Sequence, residues 1–364
     1  MINLLDLNKK ELEDFFVNIG EKKFRAQQTR EWIYRGARDF SEMKNLPGEL
    51  RNRLEKMQEA GEITLGGLKI LDMRSASDGS TAKFLFELHD GNTIETVLMR
   101  YKYGNSVCVS SQAGCRMGCR FCASTLLGLQ RNLTAGEIVA QVLACLRYVK
   151  DENDYPLSSN DERIGHIVIM GTGEPLDNYE NVKKFTELLN AKDGLDLSLR
   201  NITLSTCGLV PVIKKFTEEM PQVNLAISLH ASNNTSRSAL MPVNDAYPID
   251  ELMPAVSAHA RKTGRRVTFE YALTAGVNDS EKQAEDLANL LRHYFNHQAG
   301  NGGLCHVNLI PLNKVEEIGM EGSGRKQVLA FQKKLEDMGI PATIRREMGA
   351  DIDAACGQLR LGKK

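Results

Sequence analysis

Apolar positions recur at helical spacing near the start of the chain. Asn8 through Phe16 sets Leu12, Phe15 and Phe16 on one face behind a polar capping residue, which predicts a short helix. Glu21 to Arg38 continues as helix, and Pro47-Gly48 breaks the pattern before another helix over Glu49 to Ala60. Between residues 63 and 103 the period shortens to that of a strand. Thr81–Leu88 and Asn92–Met99 flank His89-Asp90-Gly91, which predicts a hairpin on an Asp-Gly turn.

From Ser106 the rhythm becomes strand, loop, helix. Apolar strand-like runs stand at Val107–Ser110, Ile167–Met170, Ile202–Ser205, Leu225–Leu229, Val267–Tyr271 and Val307–Ile310. Thr134 with Glu137, and Ser280 with Gln283, read as capping boxes ahead of helical patterns. A last helix carries Val328, Phe331, Leu335 and Met338. Six strand–helix repeats predict an α/β protein with a parallel sheet, curled or flat. The polar stretch from Asp151 to Arg163 reads as a surface insertion.

Composition adds limits. The 364 residues are 42% hydrophobic and 26% charged, ordinary for a globular chain. A net charge of −1 gives no overall attraction to nucleic acid, so any RNA site must be a local basic patch. The best patch is Glu21–Arg38, where six Lys and Arg stand against Glu21 and Glu31, with Trp32 and Tyr34 interleaved. A solvated helix face with Trp32 in a small core is the rival reading. No apolar run reaches membrane-span length, and Met1–Asp6 lacks the pattern of a signal peptide. With eight cysteines and no secretion signal, the expected compartment is a reducing cytoplasm.

The chemistry centres on Gly114-Cys115-Arg116-Met117-Gly118-Cys119-Arg120-Phe121-Cys122, three cysteines at C-x3-C-x2-C spacing. Such thiolates are soft ligands for zinc or an iron–sulfur cluster. Zinc would want a fourth ligand nearby. A 4Fe-4S cluster on three cysteines keeps one iron open to chelate S-adenosylmethionine. In a parallel α/β sheet the functional residues gather at the carboxyl ends of strands. Here those ends are Gly171-Thr172-Gly173-Glu174-Pro175, Ser205-Thr206-Cys207-Gly208, Ser228-Leu229-His230-Ala231 and Asn308–Asn313. Glu174 could accept from an ammonium, whereas a lone His such as His230 is more often structural.

The cysteine loop, Ile94-Glu95-Thr96-Val97, Cys108–Cys115, Gly171–Leu176, Met241-Pro242-Val243-Asn244 and Asp351-Ile352-Asp353-Ala354-Ala355-Cys356-Gly357-Gln358-Leu359 together resemble the RlmN/Cfr family of radical-SAM RNA adenine methyltransferases. Thr172 stands where that family often carries Met. The resemblance implies a partial (β/α)6 barrel over 104–345. Ahead of it come a helical RNA-binding domain over 1–62 and a β-hairpin extension over 63–103, and behind it a tail over 346–364. It implies a 4Fe-4S cluster on Cys115, Cys119 and Cys122. It implies S-adenosylmethionine held by Gly173, Glu174, Ser205, Ser228, Leu229, His230 and Asn313. Cys356 would carry the methyl group, Cys108 would resolve the adduct, and Glu95 would be the base. The implied substrates are 23S rRNA and tRNA, modified at adenine carbon 2. Flavodoxin and a thiol reductant are the implied electron sources for a monomeric enzyme. Methylation at carbon 8 is the neighbouring alternative within the family. A non-enzymatic iron–sulfur RNA sensor is the alternative outside it, but gives no reason for Glu95, Cys108 and Cys356.

Overall fold

Three reciprocal caps start helices where the polar pattern placed them. Asn8 N donates to Glu11 Oε2 at 2.7 Å and Glu11 N to Asn8 Oδ1 at 3.0 Å, opening the helix Lys9–Asn18. Thr134 and Glu137 exchange the same pair of bonds at 3.0 and 3.2 Å before Ala135–Asp151. Ser280 and Gln283 do so at 2.9 and 3.3 Å before Glu281–Phe295. Each box satisfies two backbone N–H groups that the first turn cannot pair.

The computed structural model describes residues 1–151, 163–295, 303–312 and 319–345, together with Ile352. Its main sheet has ten strands, numbered here along the chain: β1 Lys69–Ser75, β2 Thr81–Glu87, β3 Thr93–Tyr101, β4 Gly104–Val109, β5 Ile164–Ile169, β6 Ile202–Thr206, β7 Asn224–Ser228, β8 Val267–Leu273, β9 Cys305–Pro311 and β10 Ala342–Ile344. Spatial order follows chain order from β1 to β10. Strands β1 to β4 pair antiparallel, and β4 to β10 pair parallel. Six strand–helix units therefore run from β4 to the helix Arg325–Asp337 and close on a seventh parallel strand, β10. The predicted hairpin is β2 and β3, turned at Asp90-Gly91 with Gly91 at φ 79°. It pairs with the barrel strands through β3–β4, so one sheet runs through both. The parallel part is the six-unit α/β arrangement that the strand–helix rhythm predicts.

Ile167, Ile169, Ile202, Leu204, Leu225, Ile227 and Phe269 are buried under the surrounding helices. Each such side chain is worth about 1.5–3 kcal/mol when fully buried. The N-terminal helices Lys9–Asn18, Phe24–Tyr34 and Gly48–Glu59 share this core through Leu12, Phe16, Ile33 and Leu54. Polar anchors add direction: Asp6 Oδ1 accepts from Gly136 N at 2.6 Å, and Arg30 donates to Asp193 at 3.2 Å and to Leu7 O at 2.9 Å. Arg30 is thus an internal brace and not part of a basic surface. Lys22, Lys23 and Arg35 are exposed, Tyr34 is buried, and Trp32 is half-buried with Nε1 donating to Asn45 at 2.6 Å. Among the described residues no helix is long and apolar enough to cross a membrane.

Candidate functional site

The cysteine loop leaves the sheet after β4 and is held at its neck by a small antiparallel pair, Gln112–Gly114 with Leu129–Asn132. Gly114 sits at φ 77°, and a Cβ there would lie 1.9 Å from Gly128 O, so only glycine closes the neck. Cys115 N donates to Gly128 O at 3.2 Å, and Thr125 Oγ1 to Cys122 O at 2.9 Å. Gln112 ties the neck to the next strand end: its Oε1 accepts from Glu174 N at 2.8 Å and its Nε2 donates to Asp177 at 3.0 Å. Arg116 pairs with Asp177 as well. Met117, Cys119 and Phe121 pack on Cys207, Leu240 and Met241.

These elements line a cavity of about 160 Å³ that is partly open to solvent. Cys115, Cys119 and Cys122 line it together with Gly173, Glu174, Ser205, Ser228 and His230. Burial pushes the Cys115 thiol up to about 12, and the neighbouring Cys122, Glu174 and Asp177 charges push the same way. Cys119 is raised for the same first reason. Cys115 and Cys119 resist ionisation beside Cys122 in one pocket, and bound positive charge would bring them to the thiolate form. Among the described residues no three His, Cys, Asp or Glu side chains are arranged around a single ion. In an iron–sulfur cluster the thiolates bind separate irons. The donor set fits such a cluster.

Glu174 is buried at the end of β5, with Oε1 accepting from Leu176 N at 3.0 Å and Oε2 from Cys207 N at 2.8 Å. Burial raises its carboxyl. It caps the turn after β5 and ties it to the end of β6, so any ligand contact uses its remaining lone pairs. Thr172 beside it is buried, and its Oγ1 has no hydrogen-bond partner among the described residues.

His230 has φ 56°, a left-handed conformation held by its own N–H and that of Leu229 on Glu270 O, and by Asn278 Nδ2 on its carbonyl at 2.9 Å. Its Nδ1 accepts from Ala272 N at 2.9 Å. Burial, then Arg237, pushes its pKa down to about 3. The ring is neutral, so the proton sits on Nε2. The histidine is both structural and cavity-lining, with its ring against Phe121 at 4.6 Å between centroids. The Leu229 side chain is fully buried in the core, so only its backbone is left for a ligand.

Three groups were not legible as site residues. Arg237 is wholly buried and donates to Cys207 O at 2.6 Å and Asn244 Oδ1 at 3.0 Å, placing a cation behind the cysteine loop. Glu270 and Arg345 also line the cavity. Nothing in the pattern distinguishes these residues from surface charges except that Glu270 interrupts an apolar run.

Glu95 and Cys108 lie on neighbouring strands beside this cavity and do not line it. Val97 stands opposite Cys108 across β3 and β4, and Glu95 lies two residues away on the same face. Both are buried, and Glu95 Oε1 pairs with Lys83 Nζ at 2.9 Å. Cys108 packs with Val97, Met99, Ala76 and Ile352, against Met170, which also lines the cavity. Asn313 and Cys356 lie outside the described residues.

The family model described as the ribosomal RNA large subunit methyltransferase N-terminal domain matches residues 2–60, and the radical SAM superfamily model matches residues 109–288. A relative from Geobacillus kaustophilus, named "Probable dual-specificity RNA methyltransferase RlmN", is 50% identical over 363 residues, covering 100% of this chain and 93% of that one. One of the same name from Clostridium perfringens is 48% identical over 361 residues, covering 99% and 97%. The crystal structure of a radical SAM methyltransferase from Sphaerobacter thermophilus superposes with a TM-score of 0.90 at 44% identity, covering 99% of each chain. With identity of this order along the whole chain and a cysteine-lined cavity at the strand ends, the chain belongs to the RlmN family of radical-SAM RNA methyltransferases.

Proposed function

We propose that this chain methylates carbon 2 of adenine in 23S rRNA, at the peptidyl-transferase centre, and in tRNA next to the anticodon, with Cys356 carrying the methyl group. The observation that supports this most is the face shared by Glu95, Val97 and Cys108. Ile352, four residues before Cys356, packs onto that face. That contact supports the reading in which the tail serves the proposed base and resolving thiol.

Cys115, Cys119 and Cys122 would hold a 4Fe-4S cluster. Gly173, Glu174, Ser205, Ser228, Leu229, His230 and Asn313 would hold S-adenosylmethionine. When bound, the two supply a methyl group and a carbon-centred radical, which carbon 2 requires because it is a poor nucleophile between two ring nitrogens. Cys356 presents its S-methyl carbon to the adenine; that carbon would give up one hydrogen atom to the radical and become bonded to carbon 2. Glu95, anchored through Oε1 on Lys83, would take the ring proton, with one electron returned to the bound cluster. The Cys108 thiolate would then attack the Cys356 sulfur, forming a disulfide and breaking the bond to the transferred carbon, which takes up a proton to become the methyl group of the RNA. A thiol reductant resets the disulfide, and an electron donor such as flavodoxin serves the cluster.

The same reading assigns residues 1–62 to RNA binding, with Lys22, Lys23 and Arg35 facing the phosphates. It assigns 63–103 to the hairpin that bears Glu95, 104–345 to the barrel, and 346–364 to the methyl-carrying tail. The test is mass spectrometry of RNA digests from a strain lacking the gene, with and without the chain restored. The expected result is 2-methyladenosine at one rRNA position and in a subset of tRNAs. 8-Methyladenosine would move the reaction to carbon 8, and unmodified adenine after restoration would end the methyltransferase reading.

A further inference from the structure

Strands β7, β8 and β9 place Ser228, Glu270 and Asn308 in one register row: Ser228 pairs with Glu270, and Glu270 with Asn308. In a parallel sheet such neighbours point to the same side. Ser228 and Glu270 both line the cavity that holds the cysteines. Glu270 is 95% buried, with a relative exposure of 5%. Asn308 Nδ2 donates to its Oε2 at 2.8 Å, which fixes the carboxyl plane, while Oε1 accepts no hydrogen bond among the described residues. A carboxyl oxygen on a cavity wall can accept from a ligand's donor. Arg345 lines the same wall, so the local charge is already compensated and the site favours neutral hydroxyl donors over a second cation. Ile310 and Leu312 line the cavity next to it, an apolar strip suited to a purine face.

We propose that Glu270 binds the ribose of S-adenosylmethionine, accepting a hydrogen bond from a ribose hydroxyl while Asn308 holds the carboxylate in place and Ser228 flanks it. This assignment rests on the cavity being the S-adenosylmethionine site. The amino-acid end then lies toward the cysteines and the nucleoside toward β8 and β9. Glu270 is a binding and positioning group, since it touches the part of the molecule that does not react.

The test is anaerobic equilibrium dialysis of cluster-loaded protein with S-adenosylmethionine and with its 2′-deoxy and 3′-deoxy analogues. Wild-type protein should bind at least one deoxy analogue about tenfold more weakly, the worth of one hydrogen bond to a charged group. Glu270→Gln, which keeps an acceptor for Asn308, should bind S-adenosylmethionine about tenfold more weakly and no longer discriminate against that analogue. Iron content and circular dichroism show whether the variant has kept its fold. If it has not, the analogue series on wild-type protein decides alone. Equal affinity of wild type for all three ligands, or a folded Glu270→Gln that binds and discriminates like wild type, overturns the ribose assignment and leaves the cavity reading intact. Wild-type protein that binds no S-adenosylmethionine removes both.

Discussion

Gly173→Ala tests how tightly the strand-end loop is seated on the cysteine neck. Gly173 has φ 108°, and a Cβ built there lies 2.6 Å from Gln112 Cβ and 2.8 Å from Gln112 N. A backbone atom cannot swing aside, so either the loop after β5 or the neck strand must move. The backbone conformation costs a residue with a Cβ about 1–3 kcal/mol. Overpacking adds about 1–3 kcal/mol, so the expected destabilisation is about 2–6 kcal/mol. Gly264→Ala is the internal reference, because Gly264 has φ 64° and nothing within 4 Å of the added Cβ. It carries only the left-handed penalty, about 1–2 kcal/mol. Urea unfolding of both variants gives the difference directly. Gln112 Oε1 also accepts from Glu174 N, so Gly173→Ala should weaken S-adenosylmethionine binding as well, and Gly264→Ala should not. If Gly173→Ala costs no more than Gly264→Ala, the loop is not braced on Gln112 and the account of the cavity wall is wrong.

Four further outcomes are expected. Cys119→Ala protein purified anaerobically should lose the cluster's visible absorption and most of its iron; retention of about four irons would contradict the ligand assignment. Cys108→Ala should accumulate RNA covalently linked through Cys356, seen as an RNase-sensitive slow band on a denaturing gel and absent from a Cys108→Ala/Cys356→Ala double variant; normal turnover would return Cys108 to the core. Lys83→Met removes the ion pair of the buried Glu95 carboxylate and should cost about 3–5 kcal/mol in urea unfolding, partly recovered by adding Glu95→Gln, whereas a cost below about 1 kcal/mol would show that the pair is dispensable. Burial, then Arg265, holds His259 down at about 4, so below about pH 6.5 the unfolded chain binds a proton that the native chain does not. Stability from this group is complete above pH 6.5 and should fall by about 1.4 kcal/mol per pH unit toward pH 4, a slope that His259→Asn should remove.

Local signals survived the passage from sequence to structure. The cysteine loop, the Asn8 cap, the capping boxes at Thr134 and Ser280 and the Asp-Gly hairpin each depend on residues within a few positions of one another. What was not legible depends on distant partners. Arg30 read as part of a basic face, but Asp193 and Leu7 O draw it inward. Strand β10, Ala342–Ile344, is too short to show a period and exists because β9 offers it an edge. The neck pair Gln112–Gly114 with Leu129–Asn132 spans the loop itself, so no local alternation announces it. Glu270 becomes a site residue only when its strand brings it to the cavity, and Arg237 only when its helix packs it against Cys207 O.

The N-terminal helices carry a consequence for synthesis. Their own pairing is local, since Ile2 pairs with Ile63 and closes the segment on itself. Their anchors are not local: Asp6 waits for Gly136, 130 residues later, and Arg30 for Asp193, 163 residues later. At a translation rate of about 5–20 residues per second the guanidinium of Arg30 spends roughly 8–30 s without its carboxylate. The nascent segment can bury Leu12, Phe16 and Leu54 early, but its docking face stays open until the second strand–helix unit has left the ribosome. An enzyme of this architecture therefore matures in one direction, with its first sixty residues held as an unfinished module until the barrel supplies the surface that completes them.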